Sequence, residues 1–212
     1  MAHGGRGISF DNDWLAADET GLVVFDMLEC YRGPVEEAGT LQNVVKLVKA
    51  CRSAGLPVFF ARADHRADGR DFALTMSDTD SHFASWGPAN KPPTVPPWGS
   101  GSPMLLPLRE LEMSEADYDI PKHRWSAFAG TALDISLRAM GISTILLVGG
   151  STHVGIASTA YAARDLDYQV TVVRDGCHGF REQREFFLDH VFPRMCRVRT
   201  ADEVIARIVA KG

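Results

Sequence analysis

The feature that most constrains the fold is the stretch of residues 145–168, in which one pattern of apolar residues gives way to another. Residues 145–148 are Ile-Leu-Leu-Val, an apolar run suited to a strand that is buried on both faces. Gly149 and Gly150 follow, and they allow a sharp turn to which another group can come close. From Val154 onward, apolar residues recur at helical spacing. The stretch therefore predicts a strand, a glycine-rich turn and a helix.

A turn of this kind can carry chemistry as well as connect two elements. The N–H groups at a helix N-terminus point outward together, so they favour a bound anion or the oxyanion of a reaction intermediate. An ordinary strand-to-helix junction of a parallel sheet explains the same residues without any ligand. The turn alone leaves both interpretations open.

Strand-like and helix-like segments alternate along the whole chain. Apolar runs predict strands at residues 21–25, 58–61, 145–148, 169–173 and 195–199. Amphipathic segments predict helices at residues 41–54, 133–140, 181–190 and 201–209, in addition to the helix that follows Val154. This order predicts an α/β fold, namely a three-layer α/β/α, Rossmann-like, doubly wound and mostly parallel sheet. We assign residues 1–20 to a polar lead-in and residues 21–212 to a single domain.

The composition limits the kinds of partner that we expect. A chain of 212 residues that is 45% hydrophobic can bury one substantial core. Its formal net charge of -5 argues against nucleic-acid binding, and no apolar run approaches the ~20 residues of a membrane span. The first residues lack the apolar core of a signal peptide, and the four cysteines show no metal-binding spacing. We therefore expect a cytoplasmic protein with free thiols that binds neither nucleic acid nor a membrane.

Two charged side chains stand at the ends of predicted strands. Asp26 follows the strand at residues 21–25, and Lys122 ends a second extended segment. The carboxyl ends of parallel strands are where open α/β sheets place their sites. Each residue also has a simpler explanation, because an aspartate often caps a turn and a lysine is most often a solvated charge.

Two motifs connect these residues with a known family. Gly149, Thr152, Thr159 and Ala160 occupy the fixed positions of G-x-x-T-x-x-C-V-x-x-T-A, the signature of the isochorismatase-like cysteine hydrolases. Residues 122–133 closely resemble the K-x-R-x-S-A-F-x-G-T-x-L motif of the same family. The resemblance extends in the expected order over nearly the whole chain.

The resemblance implies a catalytic pair and a missing nucleophile. Asp26 matches the catalytic aspartate of the family, and Lys122 matches its catalytic lysine. Gly155 stands where the nucleophilic cysteine is expected, and a glycine has no side chain with which to attack a carbonyl. True isochorismatases also look like this, with a histidine, an apolar residue and a glycine where residues 153–155 stand here.

The resemblance also implies the surroundings of the pair. Family members carry a cis peptide bond without proline that here falls at Gly150–Ser151, where the N–H groups of Ser151 and Gly155 are expected to bind an oxyanion. Substrate contacts are expected from side chains in the matching segments and in the irregular segment 67–104, which we interpret as a specificity loop. These are Tyr31, His65, Trp86, Trp125 and His153.

We expect no metal and no cofactor. Nicotinamidases, which resemble this chain, bind a metal through an Asp-x-His pair and a later histidine. Here Asp64 and His65 are adjacent, so their side chains diverge if the segment is extended. Solvated loop charges explain the two residues.

The function expected is that of a hydrolase that cleaves a small, polar, carboxylated metabolite with Asp26 and Lys122, and we expect a homo-oligomer. Asp26 acts either as a general acid on a vinyl ether or as a general base on a water that attacks a C–N bond. A catalytically degenerate member that binds a small ligand or a partner is the alternative. A third possibility is that Gly155 is an engineered replacement in a C–N amidohydrolase.

Overall fold

The computed structural model describes residues 15, 17–68, 70–71 and 99–209. These residues contain six strands, namely β1 (Thr20–Phe25), β2 (Val58–Ala63), β3 (Tyr118–Lys122), β4 (Thr144–Gly149), β5 (Gln169–Cys177) and β6 (Arg197–Arg199). They also contain six α-helices, namely α1 (Arg32–Glu37), α2 (Leu41–Ser53), α3 (Leu133–Ala139), α4 (Ala157–Asp165), α5 (Arg181–Phe186) and α6 (Ala201–Val209). None of the helices in this part of the chain is long and apolar enough to cross a membrane.

The six strands form one parallel sheet in the order β3-β2-β1-β4-β5-β6. The order reverses on either side of β1, which pairs with β2 on one edge and with β4 on the other. Such a reversal opens a crevice at the carboxyl ends of the strands. The doubly wound α/β fold predicted from the sequence is therefore confirmed, and Asp26 and Gly149 lie at its switch point.

The core lies on both faces of the sheet, which explains the continuous apolar runs. Along β1, Val23 and Phe25 belong to the layer that also contains residues of α3 and α4, whereas Leu22 and Val24 belong to the layer of α2 and α6. A strand that is buried on both faces has no solvent-facing side chain, so its sequence does not alternate between apolar and polar residues. All six residues of β1 are buried, as are all six of β4.

Several element boundaries differ from the sequence prediction. The helix predicted to run from Val154 begins at Ala157 and is preceded by a π-helical turn, Thr152–Ile156. The helix predicted at residues 181–190 is α-helical only to Phe186 and continues as a second π-helical turn, Phe187–Val191. The strand predicted from residue 195 begins at Arg197, because a 3-10 turn that contains Pro193 precedes it. By contrast, the predicted bounds of α6 are confirmed.

The predicted loop at residues 67–104 falls largely outside the described residues, since residues 72–98, with Trp86, are not described. Its end packs against the site edge of the sheet. Gly99 forms an isolated bridge with His65, and Leu28 forms another with Pro107. Leu105, which is buried, belongs to a small apolar cluster with Leu28 and Ala63. The chain after the loop therefore returns to the carboxyl ends of β1 and β2.

Candidate active site

Asp26 and Lys122 form a buried ion pair at the carboxyl ends of the strands. The Lys122 Nζ atom donates a hydrogen bond of 2.7 Å to Asp26 Oδ2, and the N–H of Ala63 donates one of 2.9 Å to Oδ1. Asp26 is 7% exposed and Lys122 is 5% exposed. The structure therefore brings Asp26 and Lys122 together, with β2 lying between the strands that carry them.

The backbone at Asp26 turns its carboxylate back across β2. Asp26 has φ of 46°, the left-handed conformation that aspartate tolerates better than most side chains. The residue follows directly after β1, so this conformation ends the strand. The carboxylate consequently reaches both the end of β2, at the Ala63 N–H, and the end of β3, at Lys122.

Burial governs the protonation of Asp26. Loss of solvent raises the pKa of the Asp26 carboxyl above its ordinary value of 3.8, and this effect outweighs the charge and hydrogen bond of Lys122 and the N–H of Ala63, which lower it. The carboxyl therefore keeps its proton to a higher pH than an exposed aspartate does. A raised pKa brings the carboxyl closer to the range in which one group can both accept and donate a proton.

The aromatic ring of Phe25 fills the space in front of Gly155, where the family resemblance leads us to expect a nucleophile. Gly155 lies in the π-helical turn and is buried. A Cβ atom at this position would lie 2.3 Å from Cε1 and 2.6 Å from Cζ of Phe25. The same ring also contacts Lys122, whose Nζ lies 4.2 Å from the ring centroid. The Phe25 ring therefore lies beside both Gly155 and Lys122. This position of Phe25 could not be predicted from the sequence, in which Phe25 looks like an ordinary core residue of β1.

The glycine-rich turn has the predicted conformation. The Gly150–Ser151 peptide bond is cis, and the N–H of Gly150 donates a hydrogen bond of 3.1 Å to the carbonyl of Phe25. Gly149 has φ of 114°, and a Cβ atom there would lie 1.8 Å from the same carbonyl oxygen. Only glycine allows β1 and the turn to approach this closely.

His178 is a second residue of the site that the sequence analysis missed. It follows β5 and is 3% exposed, and its ring lies where a Cβ atom of Gly150 would meet it at 2.5 Å. Its main-chain carbonyl accepts hydrogen bonds from the N–H and from Oγ1 of Thr152. Burial lowers the pKa of His178 to about 4, while an interaction with the Asp26 main chain opposes this. The imidazole is therefore neutral at neutral pH. Its ring packs on Gly150 of the turn and interacts with the main chain of Asp26.

The structure brings two of the expected substrate-binding side chains to this turn. The Tyr31 ring lies 6.2 Å from the His178 ring, measured between centroids. His153 Nδ1 lies 3.2 Å from Ser151 Oγ. Trp125, on the segment between β3 and α3, is 55% exposed, and Trp86 lies outside the described residues.

His65, the remaining expected contact, lies in a cluster with Asp71 and His123. The ligand-type atoms of these three side chains all lie within 4.8 Å of one another, so the cluster could hold a metal ion. Asp71 Oδ2 is 3.2 Å from His123 Nδ1, and both Asp71 oxygens accept hydrogen bonds from the Arg66 N–H. Asp64 instead faces Arg62, at 3.4 Å, so the two adjacent side chains diverge. The sequence spacing did not reveal this cluster.

The cysteines offer no replacement nucleophile. All four lie within the described residues as free thiols, and Cys51 and Cys177 are buried. Burial raises the pKa of each thiol to about 12. At Cys30 the negative charge of Asp26 adds to this effect. The reactive thiolate form is therefore scarce at neutral pH.

Comparison with known proteins identifies the family. The family model of the isochorismatase domain matches residues 20–203. YecD of Escherichia coli O157:H7, an uncharacterized isochorismatase family protein, is 32% identical over 196 residues that cover 90% of this chain and 97% of YecD. Ureidoacrylate amidohydrolase RutB of Variovorax paradoxus (strain S110) is 27% identical over 183 residues, which cover 77% of this chain and 70% of RutB.

A solved structure shares both the fold and part of the sequence. N-carbamoylsarcosine amidase from Thermoplasma acidophilum superposes with a TM-score of 0.65 and 27% identity, covering 87% of this chain and 97% of the amidase. The family match includes the positions of Asp26, Lys122 and Gly155. This chain therefore belongs to the isochorismatase family of hydrolases.

Proposed function

We propose that this protein hydrolyses a C–N bond in a small carboxylate that bears a ureido group, using Asp26 and Lys122 and no side-chain nucleophile. The observation that carries the proposal is the buried ion pair, whose Nζ and Oδ2 atoms are 2.7 Å apart. Desolvating two charges costs several kcal/mol per ion, so a buried pair is poor evidence for stability. Its position at the carboxyl ends of the strands indicates a catalytic purpose.

Asp26 is the proton-transferring group in this proposal. Its carboxylate takes a proton from water as the water oxygen attacks the ureido carbonyl carbon. The same carboxyl then gives that proton to the departing nitrogen as the C–N bond breaks, which leaves ammonia and a carbamic acid that ionises to the carbamate by releasing its own proton to solvent. The raised pKa of Asp26 suits both steps, since a pKa closer to the working pH favours accepting the proton as well as returning it.

Lys122 and the glycine-rich turn provide electrostatic stabilisation. Lys122 holds the carboxylate of Asp26 in place through its hydrogen bond. We assign the N–H groups of Ser151 and Gly155 to the oxyanion that forms when water adds to the carbonyl. Tyr31 and His153, which lie beside the turn, are proposed to contact the substrate, together with His65 at the rim.

The proposed substrate class rests on two relatives. Ureidoacrylate and N-carbamoylsarcosine, the compounds in the names of the two amidohydrolases, are both carboxylates with a ureido-type group. The similarity to these proteins supports a substrate of the same chemical class.

Gly155 and the raised Asp26 pKa favour a second candidate reaction. In this reaction protonated Asp26 acts as general acid on a vinyl ether, and water completes the cleavage.

A screen with two proteins tests the proposal. Ureido carboxylates and carboxylated vinyl ethers are incubated with the wild type and with Asp26→Asn, and the products are measured by mass spectrometry. We expect turnover of a ureido carboxylate and a loss of ~10²–10⁴ in rate in Asp26→Asn. Asp202→Asn, at a side chain that is 82% exposed on α6, is the matched control and should retain the wild-type rate.

The pH profile separates the two candidate reactions. If Asp26 acts as the base, kcat/KM rises as the pH rises through its raised pKa, because the carboxylate form increases. If Asp26 acts as the acid on a vinyl ether, kcat/KM falls over the same interval. Ligand binding without turnover by either protein would support a catalytically degenerate member and contradict the proposal.

A further inference from the structure

The Phe25 ring occupies the space in front of Gly155 and cannot easily leave it. The residue is 1% exposed and lies in the core layer of α3 and α4. A Cβ atom at Gly155 would lie 2.3 Å, 2.6 Å and 3.1 Å from three carbons of the ring. The first two distances are well below any normal contact, so a side chain at position 155 requires the ring to move.

The backbone of Phe25 cannot give way to relieve this contact. Phe25 pairs with Ala61 of β2 and with Gly149 of β4, so it is held on both sides in the sheet. Its carbonyl accepts the N–H of Gly150 at 3.1 Å. Because interiors are packed at the density of organic crystals, a ring held in this way has little free volume into which it can rotate.

The same ring contacts the catalytic lysine. The Lys122 Nζ atom lies 4.2 Å from the centroid of Phe25 and 2.7 Å from Asp26 Oδ2. A cation over an aromatic face is attracted by the ring quadrupole, and the attraction is larger when the pair is shielded from water. Phe25 precedes Asp26 in the chain, so two adjacent residues contact the ammonium group.

We propose that Phe25 is a positioning residue that has taken the space of a nucleophile side chain, where it holds Lys122 towards Asp26 and requires glycine at position 155. The positioning of Lys122 rests on the function proposed above, whereas the steric dependence of Gly155 on Phe25 does not. On this proposal glycine is the natural residue at position 155, because the Phe25 ring leaves no room for a side chain there. It is not an engineered replacement of a cysteine. Restoring a cysteine alone does not restore a thiol-based site.

A double-mutant cycle tests the steric part by thermal unfolding. Gly155→Cys alone should lower Tm by about 2–12 °C, as overpacking does in a chain of this size. Phe25→Val alone should also lower Tm, because it leaves a cavity. In the double variant the added Cβ and Sγ fill that cavity, so its Tm should exceed the value expected from adding the two single effects.

Gly33→Cys provides the matched control, because a Cβ atom at Gly33 meets nothing within 4 Å. Its effect on Tm should be small and should add to that of Phe25→Val. A Gly155→Cys variant that melts with the wild type, or a cycle with additive effects, would overturn the steric part. Both results are independent of turnover, so they are distinguishable from a failure of the proposed function.

Amine labelling tests the positioning of Lys122. Phe25→Leu keeps an apolar side chain but removes the aromatic face, so the ammonium group is held less firmly. We expect amine-specific labelling of Lys122 to become about thirtyfold faster, the factor that corresponds to a shielded cation–π contact of about 2 kcal/mol. Lys46, whose side chain is 57% exposed, is the internal reference for labelling within the same molecule. An unchanged ratio of Lys122 to Lys46 labelling in folded Phe25→Leu would refute the positioning role.

Discussion

Replacing His178 should make the fold less sensitive to acid. The imidazole is 3% exposed, and burial lowers its pKa from 6.5 to about 4. The positive charge of Arg184 contributes in the same direction, whereas the interaction with the Asp26 main chain opposes the shift. The folded protein therefore resists protonation of His178, while the unfolded chain accepts the proton at an ordinary pKa.

The sign and the size of the effect follow from this difference. Because the folded-state pKa is depressed, the stability linked to His178 is fully present above pH 6.5 and is lost as the pH falls towards 4. A pKa difference of this size corresponds to about 3 kcal/mol in the free energy of unfolding. That is a large part of the roughly 5–15 kcal/mol that stabilises a typical protein. Asp26, whose pKa is raised, contributes with the opposite sign.

Urea unfolding followed by far-UV circular dichroism between pH 7.5 and pH 4.5 measures the effect. His178→Asn should be less stable than the wild type at pH 7.5, because the ring no longer packs on Gly150, but it should lose less stability as the pH falls. His190→Asn, at an exposed histidine, is the control and should follow the wild-type pH dependence. The reasoning is refuted if His178→Asn and the wild type lose equal free energy of unfolding over this range.

Two further predictions concern turnover of whichever substrate the screen identifies. Exhaustive chelation should leave the rate unchanged, because Asp26 and Lys122 do not belong to the cluster of His65, Asp71 and His123; a loss that added zinc restores would contradict this. Alkylation under native conditions should also leave the rate largely intact, because the pKa of every thiol is raised to about 12. Alkylation of Cys30→Ala controls for simple obstruction near Asp26, and turnover that is still lost in this variant would show that a thiol is required.

The parts of the fold that the sequence could predict are those with a local signal. The apolar runs of β1 and β4 and the amphipathic stripes of α2 and α6 each reflect how one element is buried, so the pattern within the element is sufficient. The pairing of Asp26 with Lys122 was available only from the family resemblance. No local pattern joins two residues that are 96 positions apart.

The residues that the sequence did not reveal depend on packing between distant elements. Phe25 is an apolar residue of the kind found in any buried strand. Its proposed role arises only because position 155 lacks a side chain. His178 is a single histidine after β5, and it belongs to no repeating sequence pattern that would predict its position. Its place beside Asp26 results from the parallel pairing of β4 with β5. Asp71 and His123 meet His65 through the path of a loop, which spacing alone cannot give. The predicted homo-oligomer stays a prediction.

Because of where Lys122 lies, the site can lose its ion pair while the rest of the fold stays intact. Among the described residues β3 pairs only with β2, so it can detach by local opening while the central strands remain paired. When it does, the ammonium group leaves and Asp26 is left as a buried carboxyl without its counter-ion. The Asp117 carboxylate, which is bound to Arg52 at 2.6 Å just before β3, ties the start of this strand to α2. For the hydrolysis proposed above, we therefore expect the fraction of molecules able to react to depend partly on the Asp117–Arg52 ion pair, which is remote from Asp26.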